Sequence, residues 1–588
     1  MERNPMQEID LMWMFALLIT PLVFGFICLG LEKRGGEWTY WLAGIGGAIT
    51  LGLALGIISL FKFDTVDQFG VLDDDSVRIQ TSLLDRGKMS ELSPDSNIKS
   101  SFDWIGKIRW IPRLGIDFHV GLDGASLSLI VMTALIFFFG LLACWRNGEY
   151  SGRLLALLLF GESMVIGALL SLNWVLWLVF LSGAGIVSFM VLQGWAKGNR
   201  ESILKKYLSS TVAAGLILAA LGFYCRQLDL KAFANPNEIK AAENQLKRAH
   251  PDWTDSQIHR YLNWNTYNLL ALQRAGMAAV ENKIPGAEAA SPLANSTVQS
   301  LGFLAVLIGG LLMTGLLPPG NWLSPVLQDS SPGVSLSLGA SFSALALSGI
   351  LKFGVNIFPL GLLQLAPVIT WASLVALLLV NFRILGLCRN FSMSPWVGLW
   401  TWLVFLLALS GAFQGEINSW KSKTFSGGLF WFLCAQVAFA GLVMAIHLAR
   451  KSVLVDSLDS QVGLGKAAPG VMAAIGFFSL AVCGFPLLGG FTGLAMFVPG
   501  IFQLGIFPGG VLSLSFLLLT YGLFRFAWQF LGDIPVIPAK QMQLGEMILV
   551  TSMGVILLMT GVFPNLVLSW MQPSVAAIPE IILTHSKF

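Results

Sequence analysis

The sequence predicts an all-α membrane protein with about fourteen transmembrane helices. Hydrophobic residues make up 55% of the 588 positions and charged residues only 12%, a balance that soluble globular proteins of this length do not show. Apolar stretches of about 18–25 residues recur along nearly the whole chain, and each is long enough to cross a hydrocarbon core of about 30 Å. Two of these stretches are interrupted by proline and glycine, which predicts broken helices.

The apolar stretches can be placed to within several residues. They lie near 11–31, 39–61, 122–145, 153–171, 174–194, 207–225, 298–318, 335–358, 363–385, 396–413, 427–449, 468–504, 507–531 and 545–569. The stretch at 468–504 is one long, interrupted pass. The N-terminus lacks a small-residue cleavage site after its first apolar run, so we expect that helix to be retained.

The basic residues predict the orientation of the chain. Short loops rich in Lys and Arg alternate with loops that are poor in them, and the positive-inside bias assigns the basic loops to the cytoplasm. Two long polar segments, 62–114 and 226–297, then fall on the opposite face together with both termini. Residues 62–114 carry acidic residues and many turn formers, which predicts an irregular ordered loop.

The second polar segment predicts two surface helices, at 237–248 and at 254–262, with Thr254 as the N-cap of the second. We interpret this insert as a docking element for a neighbouring subunit or as exposed decoration, rather than as a catalytic element.

The cysteine pattern predicts no redox cofactor and no metal site in this chain. The six cysteines lie singly in or beside apolar runs, and no C-x-x-C pair or glycine-rich phosphate loop is present. They are interpreted as small core residues.

Two interrupted segments resemble each other. Residues 313–322 close the seventh pass, and residues 483–493 lie within the twelfth, five helices later. Proline removes a backbone donor and glycine loosens a helix, so each pass is predicted to be broken. Paired broken helices in two halves are typical of transporters built from inverted repeats; the alternative is two ordinary proline kinks.

Lys352 is the residue that most strongly indicates a functional site, because it lies in a long apolar run. A lysine at bilayer depth costs a few kcal/mol and normally faces a partner or a water-filled path. Glu162 is a second ionisable residue within an apolar run, and it is acidic. It either pairs with Lys352, opens a separate route, or stays as a lone glutamate that is protonated or bonded to a neighbouring helix. His447 ends the eleventh pass and fits an interface residue better than a relay.

Several motifs resemble the subunit M family of respiratory complex I. The run Trp110-Ile-Pro-Arg-Leu-Gly-Ile-Asp-Phe-His-Val-Gly-Leu-Asp123-Gly-Ala-Ser-Leu is similar to that family's W-I-P-x-x-G-I-x-x-H-x-G-x-D-G-x-S-L. Weaker similarities follow in the family's order at 200–211, where Lys206 matches a lysine, at 339–352, which ends on Lys352, and at 484–493. The resemblance covers roughly residues 10–570, apart from the insert.

The resemblance implies an antiporter-like, proton-translocating membrane-arm subunit of an NADH:quinone oxidoreductase, without redox activity of its own. It implies two inverted five-helix repeats, a bacterial inner membrane, and other membrane-arm subunits and lipids as partners, with no nucleic acid. The chain would divide into an N-terminal part, 1–121, a first antiporter-like half, 122–358, that includes the insert, a second half, 359–531, and a C-terminal helix and tail, 532–588.

The resemblance also implies that most proton-carrying positions are lost. Members of that family place ionisable residues along the membrane midplane, where protons move between groups of tunable affinity. Six of the matching positions hold side chains without a titratable group. They are Asn173, Ser182, Met313, Trp396, Gln436 and Leu494.

Lys352 alone is kept on the expected central axis, while Lys206 is expected near the cytoplasmic surface. We therefore favour a scaffold that preserves the arm without conducting protons. One alternative is a subunit that still conducts through Lys352, Glu162 and Lys206. Another is a subunit of a multisubunit cation/proton antiporter or a membrane-bound hydrogenase.

Overall fold

The computed structural model describes most of the chain as an α-helical bundle. The described residues are 5–32, 36–60, 104–111, 116–146, 151–229, 240, 243–244, 247–248, 251–265, 267–281, 292–317, 320–387, 391–416, 418–453, 465, 468–531 and 541–586.

The helices follow the apolar stretches closely. The first half contains α1 (Pro5–Gly30), α2 (Glu37–Leu60), α3 (Gly124–Arg146), α4 (Gly152–Leu170), α5 (Trp174–Trp195), α6 (Arg200–Cys225), the insert helices α7 (Asp255–Leu262) and α8 (Leu269–Glu281), α9 (Ser296–Met313), α10 (Leu323–Asp329) and α11 (Pro332–Ser348). The second half contains α12 (Pro359–Leu387), α13 (Ser394–Ala412), α14 (Ser419–Val453), α15 (Pro469–Val482), α16 (Gly489–Phe502), α17 (Ile506–Trp528), α18 (Leu544–Val562) and α19 (Asn565–His585).

The prediction of about fourteen spans is confirmed, although the helices that make up the fourteen differ in part from those predicted. Within the described residues, 14 helices are long and apolar enough to cross a membrane. The predicted twelfth pass is not among them, because it consists of the two shorter helices α15 and α16. The fourteenth is α19, which qualifies by length and composition but packs against α3, α14 and the insert helix α8. It lies where the sequence analysis expected the end of one helix and a tail.

The segment that precedes α3 forms a β-hairpin, which the sequence analysis missed. Strand β1 (Trp104–Ile111) pairs antiparallel with β2 (Ile116–Leu122). Most of the family-like motif at 110–123 therefore belongs to this hairpin. The rest of the expected loop, from 61 to 103, lies outside the described residues.

The polar insert is partly described. The predicted helix at 254–262 is confirmed as α7, whereas most of the one expected at 237–248 lies outside the described residues. Short strands β3 (Gln227–Asp229) and β4 (Asn263–Asn265) pair across the base of the insert. Helix α8 packs against α12 and α19. We call the membrane face that carries this insert the insert face.

Both predicted helix breaks are present. Helix α9 ends at Met313 and α10 resumes at Leu323, while α15 and α16 are separated by residues 483–488. Gly315 and Gly484 adopt φ values of 64° and 70°, a left-handed conformation that glycine adopts without steric penalty. Six spans precede α9, whereas eleven crossings precede α15, so the two broken helices start from opposite faces. The inverted five-helix repeats stay a prediction.

Helix α14 is the central element of the bundle. It runs for 35 residues, and the most apolar stretch of its span is wholly buried. It packs on α13, α15, α16, α18 and α19 in its own half and contacts α3 and α11 in the other. At one end His447 Nε2 lies 2.8 Å from the Ser330 carbonyl oxygen, between α10 and α11. His447 thus joins the two halves, in agreement with its interpretation as an interface residue.

We expect Gly484→Ala to lower the melting temperature of the detergent-solubilised protein by several degrees. A Cβ there would lie 2.2 Å from Leu494 Cδ1, and the left-handed conformation disfavours alanine by about 1–2 kcal/mol. Gly476→Ala is the matched control, because a Cβ at Gly476 meets nothing within 4 Å. Equal melting temperatures for both variants would contradict the assigned break.

Candidate functional site

Lys352 lies in the last turns of the eighth span, in a π-helical segment (Gly349–Val355) that continues α11. Such segments are rare and often mark functional positions. The side chain is buried, with 4% of its surface exposed. The span ends at Val355, so Lys352 lies close to the insert face, level with the end of α4 and the start of α3, rather than in the middle of the membrane.

The ammonium group of Lys352 binds the carboxyl-terminal end of α4. Its Nζ donates to the Leu169 carbonyl oxygen and, at 3.3 Å, to the Ser171 carbonyl oxygen. The last carbonyl groups of a helix have no intrahelical partner and carry the negative end of its dipole. Lys352 therefore supplies both the donor and the positive charge that this helix end requires.

Asp123 is the acidic group of the same site. It lines a cavity of about 20 Å³ together with Lys352, and Ser126, Ser348 and Asn356 add further polar groups to the wall. Its Oδ1 also accepts from the Ser126 backbone N–H at 2.8 Å, so it caps the first turn of α3. The sequence analysis quoted Asp123 within the family-like motif but gave it no role. The D-x-x-S spacing at a helix start was the available signal.

Glu162 lies apart from this site. It is wholly buried near the middle of α4, and both of its carboxylate oxygens lack a hydrogen-bond partner among the described residues. Leu169, whose carbonyl binds Lys352, is two helical turns away, or about 10 Å along the axis. Glu162 consequently forms no ion pair with Lys352. An ionised carboxylate without a donor is costly to bury, so this environment tolerates the neutral acid.

Lys206 lies at the opposite end of the bundle from Lys352. It is exposed in the second turn of α6, just after the end of α5. Lys352 contacts the residues just before the start of α5, so the length of that 22-residue helix, about 30 Å, separates the two lysines. The three predicted proton-path residues are not brought together.

Two of the six substituted family positions lie on α5. Asn173 is the N-cap, and its Oδ1 accepts from the backbone N–H groups of Val175 and Leu176 at 3.0 and 3.3 Å. Ser182 is exposed and its hydroxyl donates to the Leu178 carbonyl oxygen at 2.7 Å. Both side chains therefore serve the local helix.

Two more lie at the helix breaks. Met313 is buried where α9 ends, and the indole ring of Trp322 packs against the same break, because a Cβ at Gly315 would lie 2.3 Å from its Nε1. Leu494 covers Gly484 at the second break. Apolar and aromatic side chains thus fill both positions where a helix break would otherwise expose backbone.

The last two lie in the second half. Gln436 is buried and its Nε2 lies 3.3 Å from Thr401 Oγ1, beside another cavity of about 20 Å³, which is room for one water molecule. Trp396 is half-buried, and the Arg383 guanidinium lies 5.9 Å from its ring centroid.

Aromatic rings fill the interior between these positions. Phe353 lies 4.7 and 4.9 Å, centroid to centroid, from Trp174 and Trp177. Near the first break, Trp322 lies 4.9 Å from Tyr207 and 5.1 Å from Phe342. Further clusters surround Trp400, Trp402 and Trp431. Close-packed rings cannot exchange protons and exclude water.

Lys421 is a buried cation that the sequence analysis missed. It lies in the first turn of α14 with 3% of its surface exposed, and its Nζ is 3.4 Å from the Gly411 carbonyl oxygen near the end of α13. The polar run Asn-Ser-Trp-Lys-Ser-Lys around it is typical of a surface loop, so only the packing shows its burial. Among the described residues, no group of three His, Cys, Asp or Glu side chains could hold a metal ion.

Comparisons with known proteins agree with the earlier resemblance. No family model matches the chain. It is 22% identical over 581 residues to NADH-quinone oxidoreductase subunit M of Escherichia coli K12, covering 96% of this chain and 97% of that protein. The chain is thus similar over nearly its whole length to proteins named NADH-quinone oxidoreductase subunit M.

Solved structures of this architecture match the fold. A chain of respiratory complex I from Thermus thermophilus superposes with a TM-score of 0.68 at 18% identity, covering 97% of this chain and 99% of that one. A chain of the Mrp complex from Dietzia sp. DQ12-45-1b gives a TM-score of 0.60 at 14% identity, with coverage of 97% and 99%. The chain thus shares the fold of these two solved chains.

We expect Lys352→Met to destabilise the protein by about 2–4 kcal/mol, because two buried carbonyl groups lose their donor and Asp123 loses the positive charge that shares its cavity. Adding Asp123→Asn to that variant removes the unpaired carboxylate and keeps the α3 cap, so we expect part of the stability to return. Thermal unfolding of the four proteins gives the coupling energy. Strictly additive effects would show that the two side chains do not interact.

Proposed function

We propose that this chain is a membrane-arm subunit of an NADH:quinone oxidoreductase of the complex I type, and that it maintains the packing of the arm without conducting protons. The first part is supported by the near full-length similarity to subunit M and by the shared fold. The second part rests on the interior of this chain.

The packing of the interior carries the proposal. A proton path needs titratable groups or water within hydrogen-bond distance of each other across the whole membrane. The side chains at the six substituted positions have other roles here: they cap a helix, face outward, fill a helix break or hydrogen-bond to a neighbour. None of the six has a titratable group. Aromatic clusters fill the interior of each half.

The remaining ionisable residues support the same conclusion. Lys352 is engaged by the end of α4 and shares its cavity with Asp123. Glu162 has no partner among the described residues, and Lys206 is exposed at the far end. Its binding to the end of α4 accounts for the presence of this lysine, and that role requires no proton transfer.

The fold match to the Mrp complex keeps one alternative assembly open, a multisubunit cation/proton antiporter; a membrane-bound hydrogenase is the other. Purification of the native assembly through this chain distinguishes them. We expect subunits that oxidise NADH to co-purify. Recovery of hydrogenase or antiporter subunits without an NADH-oxidising partner would contradict the complex I assignment.

We expect the number of protons translocated per electron pair to stay unchanged in Glu162→Gln and Lys352→Met variants. The reason is that neither side chain belongs to a continuous relay. The measurement uses the assembly reconstituted into liposomes with NADH and a quinone, with proton uptake and NADH oxidation recorded together.

Lys206→Gln is the control, since Lys206 is exposed and distant from the interior. Each variant must first be shown to assemble, because Lys352→Met is expected to be less stable. A lower proton ratio in an assembled Glu162→Gln variant would overturn the scaffold proposal, since a change in a chain that conducts no protons leaves the ratio unaffected.

A further inference from the structure

Helix α19 covers the cavity that contains Lys352 and Asp123. Its Val575 and Ile578 form part of the cavity wall, and Phe425 of α14 completes that side. The remaining walls come from α3 and the end of α11. The cavity therefore lies between the two halves of the bundle, and α19 lies across the junction.

A specific hydrogen bond fixes α19 at this place. The Ser574 hydroxyl oxygen accepts from the Gly124 backbone N–H at 2.9 Å. Backbone N–H groups in the first turn of a helix have no intrahelical acceptor, so α19 satisfies a donor of α3 that would otherwise stay unpaired. The two residues are 450 positions apart in the chain.

The close approach of α19 requires glycine at position 124. A Cβ at Gly124 would lie 2.1 Å from the Trp570 carbonyl oxygen and 2.8 Å from Ser574 Oγ. The first obstacle is helix backbone, which cannot move aside as a side chain can. Any side chain at this position would lift α19 away from the start of α3.

One face of α19 is apolar and buried. Leu568, Met571, Val575 and Ile582 are buried at helical spacing, whereas Ser569, Glu580 and Thr584 on the opposite face are exposed. Contacts with α3, α14 and the insert helix α8 place this buried face against both halves of the bundle at the insert face.

We infer that α19 is a strap that seals the Lys352 cavity against water at the insert face. The inference rests on the proposed function, because a chain that conducts no protons has no need of water beside Lys352 and Asp123. The cavity of about 20 Å³ is close to the size of one water molecule. Lifting α19 would bring Asp123, Lys352 and Asn356 into contact with bulk solvent.

Cysteine accessibility tests the seal without any turnover. Ser126→Cys places a thiol in the cavity wall, and Ser569→Cys places a control thiol on the exposed face of α19 itself. The assembled complex in nanodiscs is treated with a water-soluble maleimide. We expect Ser126→Cys to react at least about tenfold more slowly than Ser569→Cys, because its exposure requires local opening of α19.

Two further changes open the strap. Adding Gly124→Ala, or Ser574→Ala, which is close to serine in volume but lacks the acceptor, is expected to raise the labelling rate at Ser126→Cys by about fivefold or more through local opening. The rate at Ser569→Cys stays constant.

Rapid labelling of Ser126→Cys in the otherwise unchanged complex would overturn the inference. Unchanged labelling in both the Gly124→Ala and the Ser574→Ala backgrounds would do the same, and the second background covers the case in which the first fails to assemble. Failure of the proposed function would appear separately, as a changed proton ratio during turnover in the Glu162→Gln variant.

Discussion

The structure depends on how a single buried ammonium group is neutralised. Lys352 lies where the end of α4 meets the start of α3, so its ammonium group binds the last carbonyl groups of α4 and shares a cavity with Asp123. Burying a charge in a bundle of this kind is tolerated only when such partners are present. The position of α11 against α3 and α4, the cavity between the halves and the placement of α19 over that cavity all follow from this arrangement.

The same arrangement explains how an antiporter-like fold persists while its interior changes. Helix breaks and helix ends leave backbone groups unpaired, and these groups need partners whether or not protons move. Asn173 serves such a need at the start of α5, and Trp322 packs against the break after α9. Residues that fix the backbone are needed in either case, whereas Met313 and Leu494 fill space at the breaks and cannot carry a proton.

Much of the fold could be predicted from hydropathy alone, because a membrane span must be apolar over its whole length. The two helix breaks were also predictable from proline and glycine. The hairpin at 104–122 and helix α19 were not, since pairing and docking depend on contacts with distant residues such as Gly124 and Ser574. For the same reason the sequence identified Lys352 but not its partner Asp123, and it could not show that Lys421 is buried.

The central claim is that no hydrated path links the two membrane faces through this chain. The most direct measurement is a cryo-electron microscopy map of the assembled complex at a resolution that shows ordered water. The account predicts isolated water molecules at most, confined to small cavities such as the one beside Lys352. A continuous file of water from the region of Lys206 through Glu162 to Lys352 would contradict it.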